Sequence, residues 1–262
     1  MVQFRITDCL TSFLYPVAGK LFGISRAGCY PMLIGMLSGY PVGAKACADL
    51  VKDGQISKEE GQFLLCFCNN ASPMFLISFI ATQCLQRGQK AFLILLIIYS
   101  SGLLTACTYR LICHSQKNVL ITAYPVATAP IEDCRLSPFT VLDTTILNAF
   151  IILTKAGGYI ILFSILAEII LHLSMFPAGI RYFFLGFLEI TTGTAAIGIA
   201  SFPFTQKIVL INALTAFGGL SSHAQTFSVI MHSGLSMKKY FLFKCINAGF
   251  AGILTFFFLR AF

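Results

Sequence analysis

The apolar run Phe63–Leu85 is about the length needed to cross a hydrocarbon core of roughly 30 Å, yet Asn69-Asn70-Ala71-Ser72-Pro73 sits at its centre. Pro73 has no backbone N–H, and its ring excludes the carbonyl of Asn69 from the helical ladder. Lipid cannot satisfy the freed carbonyls. Irregular backbone at this depth therefore survives only against protein or a water-filled cavity. A broken, polar membrane helix is what a solute site requires. The plainer reading is interhelical hydrogen bonding, at about 0.6–2 kcal/mol per contact. Two asparagines and a serine beside a proline exceed what packing alone needs, so Asn69, Asn70 and Ser72 are candidate substrate-binding residues.

Composition points the same way. The 262-residue chain is 57% hydrophobic and 11% charged, against about 25% charged in an ordinary soluble domain. Its mean hydropathy is +0.83. It has 26 phenylalanines and no tryptophan, which leaves nine tyrosines as interfacial aromatics. The net charge of +8 is spread over short loops and helix ends. That pattern reads as membrane orientation, with lipid as a partner and no nucleic acid. Ten cysteines lie mostly inside apolar runs, with no C-x-x-C pair and no zinc spacing. They read as small packed hydrophobes, not as a secreted disulfide framework or a metal site. Met1–Leu14 lacks the apolar core and cleavage site of a signal peptide. No H-E-x-x-H, G-x-S-x-G or Walker loop is present. No catalytic residue and no cofactor is assigned, and an ATP drive from this chain is not expected.

Along the chain, Phe4–Phe22 is amphipathic, interfacial or a short membrane helix. Ala27–Val51 is rich in small residues and interrupted at Gly39-Tyr40-Pro41-Val42-Gly43, which suits a re-entrant hairpin. Lys52–Gly61 is a polar loop, and Ser57-Lys58-Glu59-Glu60 forms a capping box for the next helix. Ala91–Cys113 is a clean span. His114–Pro138 is the longest polar connection. Phe139–Lys155 is amphipathic, followed by or continuous with a span at Ala156–Leu173. Tyr182–Ser201 is a second small-residue segment, interrupted by Glu189 and by Thr191-Thr192-Gly193-Thr194, with Thr191–Thr194 expected near its tip. Ile208–Met231 is broken at Gly218–His223, and Tyr240–Leu259 closes the chain.

The two interrupted pairs echo each other. Corresponding broken segments in two halves point to an inverted-repeat transporter. This divides the chain at residues 1–138 and 139–262, each with a hairpin, a broken helix and spans. The fold class expected is all-α: a polytopic membrane protein with inverted repeats, two re-entrant hairpins and two broken transmembrane helices. The alternative is that small residues merely let helices pack closely. Glu189, Thr191, Thr192, Ser221, Ser222 and His223 join the candidate site. An intramembrane carboxylate is costly unless paired or solvated, although Glu189 could instead cap the threonine-rich backbone. His223 could simply bond Ser221. Asn247 reads as a helix–helix contact.

Leu37-Ser38-Gly39-Tyr40-Pro41-Val42-Gly43-Ala44-Lys45, Ile56–Glu60, Phe67–Pro73, Leu188–Gly193 and Phe217–Gln225 carry a family resemblance. Together they resemble the sporulation integral membrane proteins of the YlbJ type, over nearly the whole chain from about Phe13 onward. The resemblance implies a nucleoside-recognition ("Gate") domain, with a layout distantly similar to that of concentrative nucleoside transporters. It also implies that the chain begins late, an earlier helix missing. Those transporters carry a Gln-Thr-Glu type sequence in the first hairpin, where this chain has Tyr40–Lys45. Lys45 with exposed half-helix N–H groups would favour an anion. It could equally pair with Asp49, four residues on.

The function expected is movement of a small solute across a membrane during spore formation, with a small anionic heteroaromatic such as dipicolinate fitting the hairpin chemistry. The alternatives are nucleoside transport and a structural component of a sporulation complex. The location expected is the bacterial cell membrane or a forespore membrane. A homo-oligomer is left open. Basic residues divide six against five between the two faces, which places the opening of the first hairpin on the cytoplasmic side.

Overall fold

The computed structural model describes residues 6–113, 138–172 and 177–259, and all regular structure among them is helical. In the first part, α1 (Ile6–Phe22) precedes two short helices, α2 (Cys29–Ser38) and α3 (Val42–Lys52). α4 (Lys58–Cys68), an irregular stretch at Asn69–Ser72 and a π-helical segment (Phe75–Cys84) follow. α5 (Ala91–Cys113) completes this part. The second part begins with α6 (Pro138–His172). Short α7 (Ala178–Leu188) and α8 (Ile190–Ile199) come next, then α9 (Phe204–Phe217), α10 (Gly219–Ile230) and α11 (Met237–Phe257). Residues 114–137, most of the expected long polar connection, lie outside the described residues.

Gly88–Cys113, Leu142–His172 and Met237–Phe257 are each long and apolar enough to cross a membrane. The two segments expected between Phe139 and Leu173 form one continuous helix, α6, of 35 residues. At 1.5 Å per residue it runs about 52 Å. Gly157 and Gly158 do not break it, because an interior glycine costs only about 1 kcal/mol relative to alanine. Its large apolar side chains, among them Phe150, Leu153, Ile161 and Ile165, face outward.

Both small-residue segments fold back as helical hairpins. In the first, Gly39 ends α2 at φ 75° and donates to Gly35 O at 3.0 Å, and α3 starts after Pro41. The two arms approach so closely that a Cβ on Gly43 would stand 2.6 Å from Gly35 Cα. The second hairpin repeats the device, with a Cβ on Gly193 colliding with Gly186 Cα and N. Its turn lies at Glu189, one of the two expected interruptions, and Thr191–Thr194 follow it in α8, near the tip. Thr191 and Thr192 sit in the first turn of α8 because the Glu189 side chain caps that helix. Arms of ten or eleven residues are about 15–17 Å long, half of a hydrocarbon core.

Both long helices that follow the hairpins are broken. Ser72 Oγ accepts from Phe75 N–H at 3.3 Å, and Pro73 stands in the first turn, where a missing N–H does no harm. In the second, Gly218 and Gly219 adopt φ of 95° and 74°. Only these two residues break the chain, and Ser221, Ser222 and His223 lie inside α10. The Ser57 cap is made, with Glu60 N–H donating to Ser57 Oγ at 3.0 Å. The Glu60 carboxylate does not complete the box. It accepts from Ser25 N–H at 2.6 Å and ties the α1–α2 turn to α4. Cys29, Cys47, Cys66, Cys68 and Cys84 are free and buried, as packed hydrophobes are.

Candidate functional site

Each hairpin tip rests on one helix break. Tyr40 N–H donates to Asn70 O at 3.1 Å, and a Cβ on Gly39 would stand 2.8 Å from the same oxygen. At the other end, a Cβ on Gly219 would stand 3.1 Å from Ile190 N, at the turn of the second hairpin. The Tyr40 ring reaches across to Gly218, 3.6 Å from where a Cβ would be. The two hairpin–break pairs therefore meet.

One helix ties them together. Tyr240, Lys244, Asn247, Ala251 and Thr255 recur along a single face of α11 and are all fully buried. Asn70 is the hub. Its Oδ1 accepts from Lys244 Nζ at 2.8 Å and from Asn247 Nδ2 at 3.2 Å, while its Nδ2 donates to Phe67 O at 2.7 Å. Lys244 Nζ also reaches Asn69 O, at 3.4 Å. Asn247 Nδ2 donates to Ala216 O at 3.1 Å, at the end of α9. Thr105 Oγ1 of α5, whose hydroxyl donates to Ser101 O, lies 3.4 Å from Asn247 Oδ1. The carbonyls that broken helices release inside a membrane must find donors. Here α11 supplies them to both breaks at once.

Asn69 sits one step from the hub. Its Nδ2 donates to Thr226 Oγ1 and to Tyr240 OH, each at 3.0 Å. The His223 ring packs against Tyr240 at 5.1 Å and stacks on Phe217 at 4.6 Å. His223 Nδ1 lies 2.7 Å from Gly219 O. A carbonyl only accepts, so Nδ1 carries the proton, and in the neutral ring Nε2 presents a lone pair. His223 Nε2 and Asn69 Oδ1 are both buried and have no partner among the described residues. Two orphaned acceptors on residues that share Tyr240 mark a place that would take a donor from water or from a solute.

The remaining candidates spend their groups locally. Ser222 donates to Gly219 O at 3.0 Å, Ser221 accepts from Gln225 at 3.3 Å, and Ser72 caps the π-helical segment. Buried Glu189 accepts from Thr192 N–H at 2.7 Å and from the Thr191 hydroxyl. Thr192 Oγ1 meets Ser164 of α6 at 3.1 Å. Glu189, Thr191 and Thr192 thus form a cluster of their own at the second hairpin.

Lys45 forms an i, i+4 ion pair with Asp49, and both side chains are half exposed, at 36% and 45%. Exposed pairs of this spacing contribute only about 0.3–0.5 kcal/mol. The double change Lys45→Gln with Asp49→Asn should therefore move the thermal midpoint in detergent by no more than a degree or two. A loss of several degrees would show that the pair holds the hairpin.

Lys244 and Tyr240 are the hub residues that sequence reasoning passed over, and Asn247 was read only as a packing contact. A signal existed: Lys244 is a cation in the otherwise apolar stretch that begins at Tyr240, and intramembrane charges are expensive.

No protein-family model and no solved structure matches the chain. One curated protein does, the sporulation integral membrane protein YlbJ of Bacillus subtilis (strain 168). It is 23% identical over 283 aligned residues, which cover 97% of this chain and 69% of that protein. With its apolar helices, the chain is an all-α, polytopic integral membrane protein, similar along nearly its whole length to the sporulation integral membrane protein YlbJ.

Proposed function

We propose that this chain is a solute pathway of the spore-forming cell and that the junction of the two hairpins and two broken helices is its substrate site. One observation carries the reading: both hairpin tips rest on helix breaks whose freed backbone is bound by a single polar face of α11. Helices that only anchor or pack have no need of four interrupted segments meeting at one point, and the cost of burying their polar backbone would have no return. The repeated glycine contacts, Gly35 with Gly43 and Gly186 with Gly193, support two halves of related design. So does the order of hairpin then broken helix in each half, the layout of inverted-repeat transporters.

The YlbJ similarity supports a role in sporulation, and the distant likeness to Gate-domain proteins supports transport as the class. The solute we favour is a small anionic heteroaromatic such as dipicolinate, with a nucleoside as the competing possibility. Radiolabelled uptake into proteoliposomes, with dipicolinate and uridine offered separately, tests both. Saturable uptake of dipicolinate above protein-free vesicles is expected. Uptake of uridine alone would replace the anion with a nucleoside, and uptake of neither would overturn the pathway.

A further inference from the structure

We infer that Lys244, not Lys45, is the residue that selects a carboxylate-bearing solute at this site. The assignment rests on the pathway reading above and deepens it. Lys244 is fully buried on α11, and no carboxylate lies within 4 Å of it among the described residues. Its partners are neutral oxygens, Asn70 Oδ1 and Asn69 O. In its charged form the side chain has three N–H donors, so one is left without a partner among the described residues.

The obvious competing role is structural, with Lys244 present only to bind carbonyls released by the first break. The second break argues against this. There the released carbonyl, Ala216 O, is bound by the neutral amide of Asn247, three residues further along the same helix face. A neutral donor therefore suffices for the structural task, and a glutamine at 244 could in principle perform it. The positive charge is surplus to backbone satisfaction, and desolvating it is expensive. The C-terminal end of α4, whose cap residue Asn69 presents its carbonyl to Lys244, offsets part of that cost. A carboxylate would offset the rest. Arriving at the junction, it would take the free N–H and compete with Asn69 O and Asn70 Oδ1 for the others. Anion binding would then loosen the bond between α11 and the first break. Lys45 cannot fill this role while Asp49 holds it.

The test compares dipicolinate with its neutral diamide, which keeps the ring and the shape and removes the charge. Binding is measured on purified full-length protein, with uridine as a third probe. Wild type should prefer dipicolinate to the diamide. Lys244→Gln should lose about ten- to a hundred-fold in dipicolinate affinity, the loss of one charge-assisted hydrogen bond, and should bind the diamide no more weakly than wild type. Lys244→Arg should retain part of the preference, because it keeps the charge in a different shape. Asn70→Asp keeps the side-chain shape and gives Lys244 an internal counter-charge. It should cost dipicolinate affinity even if Lys244→Gln fails to fold. Wild-type binding of diamide or uridine with no preference for dipicolinate overturns the Lys244 assignment and leaves the pathway standing. A folded Lys244→Gln or Asn70→Asp protein with undiminished dipicolinate affinity also overturns it. Wild-type binding of none of the three probes overturns the pathway and the assignment together.

Discussion

Gly193→Ala should prevent the second hairpin from closing. The added methyl would meet Gly186 Cα and N, and it would stand 2.7 Å from the carbonyl carbon of Leu185. These are backbone atoms, which cannot turn aside as the end of a flexible side chain can. Overpacking a well-filled core costs about 1–3 kcal/mol, and the backbone clash places this change at or above the upper end. The measurement is the thermal midpoint of detergent-purified protein, together with the yield of monodisperse material. Gly43→Ala is the matching change in the first hairpin, with the methyl 2.6 Å from Gly35 Cα, and should be milder but clearly destabilising. Gly157→Ala is the control, since a methyl there meets nothing within 4 Å. That change should leave stability equal or raise it by up to about 1 kcal/mol through helix propensity. A Gly193→Ala protein that melts with wild type would mean that the hairpin arms do not approach as described.

Asn70→Leu should be the most damaging single change in the polar core. It removes the oxygen shared by Lys244 and Asn247, and leucine offers neither of them a substitute. Each buried donor left unpaired costs about 1–3 kcal/mol, more for a charged one, so the loss should be on the order of 3–5 kcal/mol. Adding Lys244→Met should recover much of that stability, because an apolar side chain in place of the stranded ammonium needs no partner. Transport of an anion should not return with it. A double-mutant cycle read by thermal unfolding supplies the coupling between the two residues. Strict additivity would show that Asn70 and Lys244 do not act as a pair. Rescue of stability together with transport would show that the hub serves only the fold.

The breaks in both long helices were legible in the chain because their causes are local. Pro73 lacks an N–H wherever it is placed, and Gly218-Gly219 can enter positive φ without help from the rest of the fold. The hairpins were legible for the same reason, through Gly39, Pro41 and the small residues around them. The second hairpin was legible too, through its interruption at Glu189, with the threonines close behind the turn. The Glu189 side chain binds Thr192 N–H and starts α8 there. The ion pair between Lys45 and Asp49 was foreseeable too, since four residues of helix bring them together whatever surrounds them.

The sequence by itself thus determined where this chain breaks, turns back and runs straight, since those choices depend on the residue and its near neighbours. The tertiary structure alone decided which polar groups meet. Lys244 reaches Asn70 across 174 positions of chain, and Asn247 joins the two breaks only because α11 packs along α9 and α5 while touching α4. No spacing rule connects residues so far apart. Their pairing follows from the need to satisfy released carbonyls inside a membrane, and only the packed fold specifies which donor is near enough to do it.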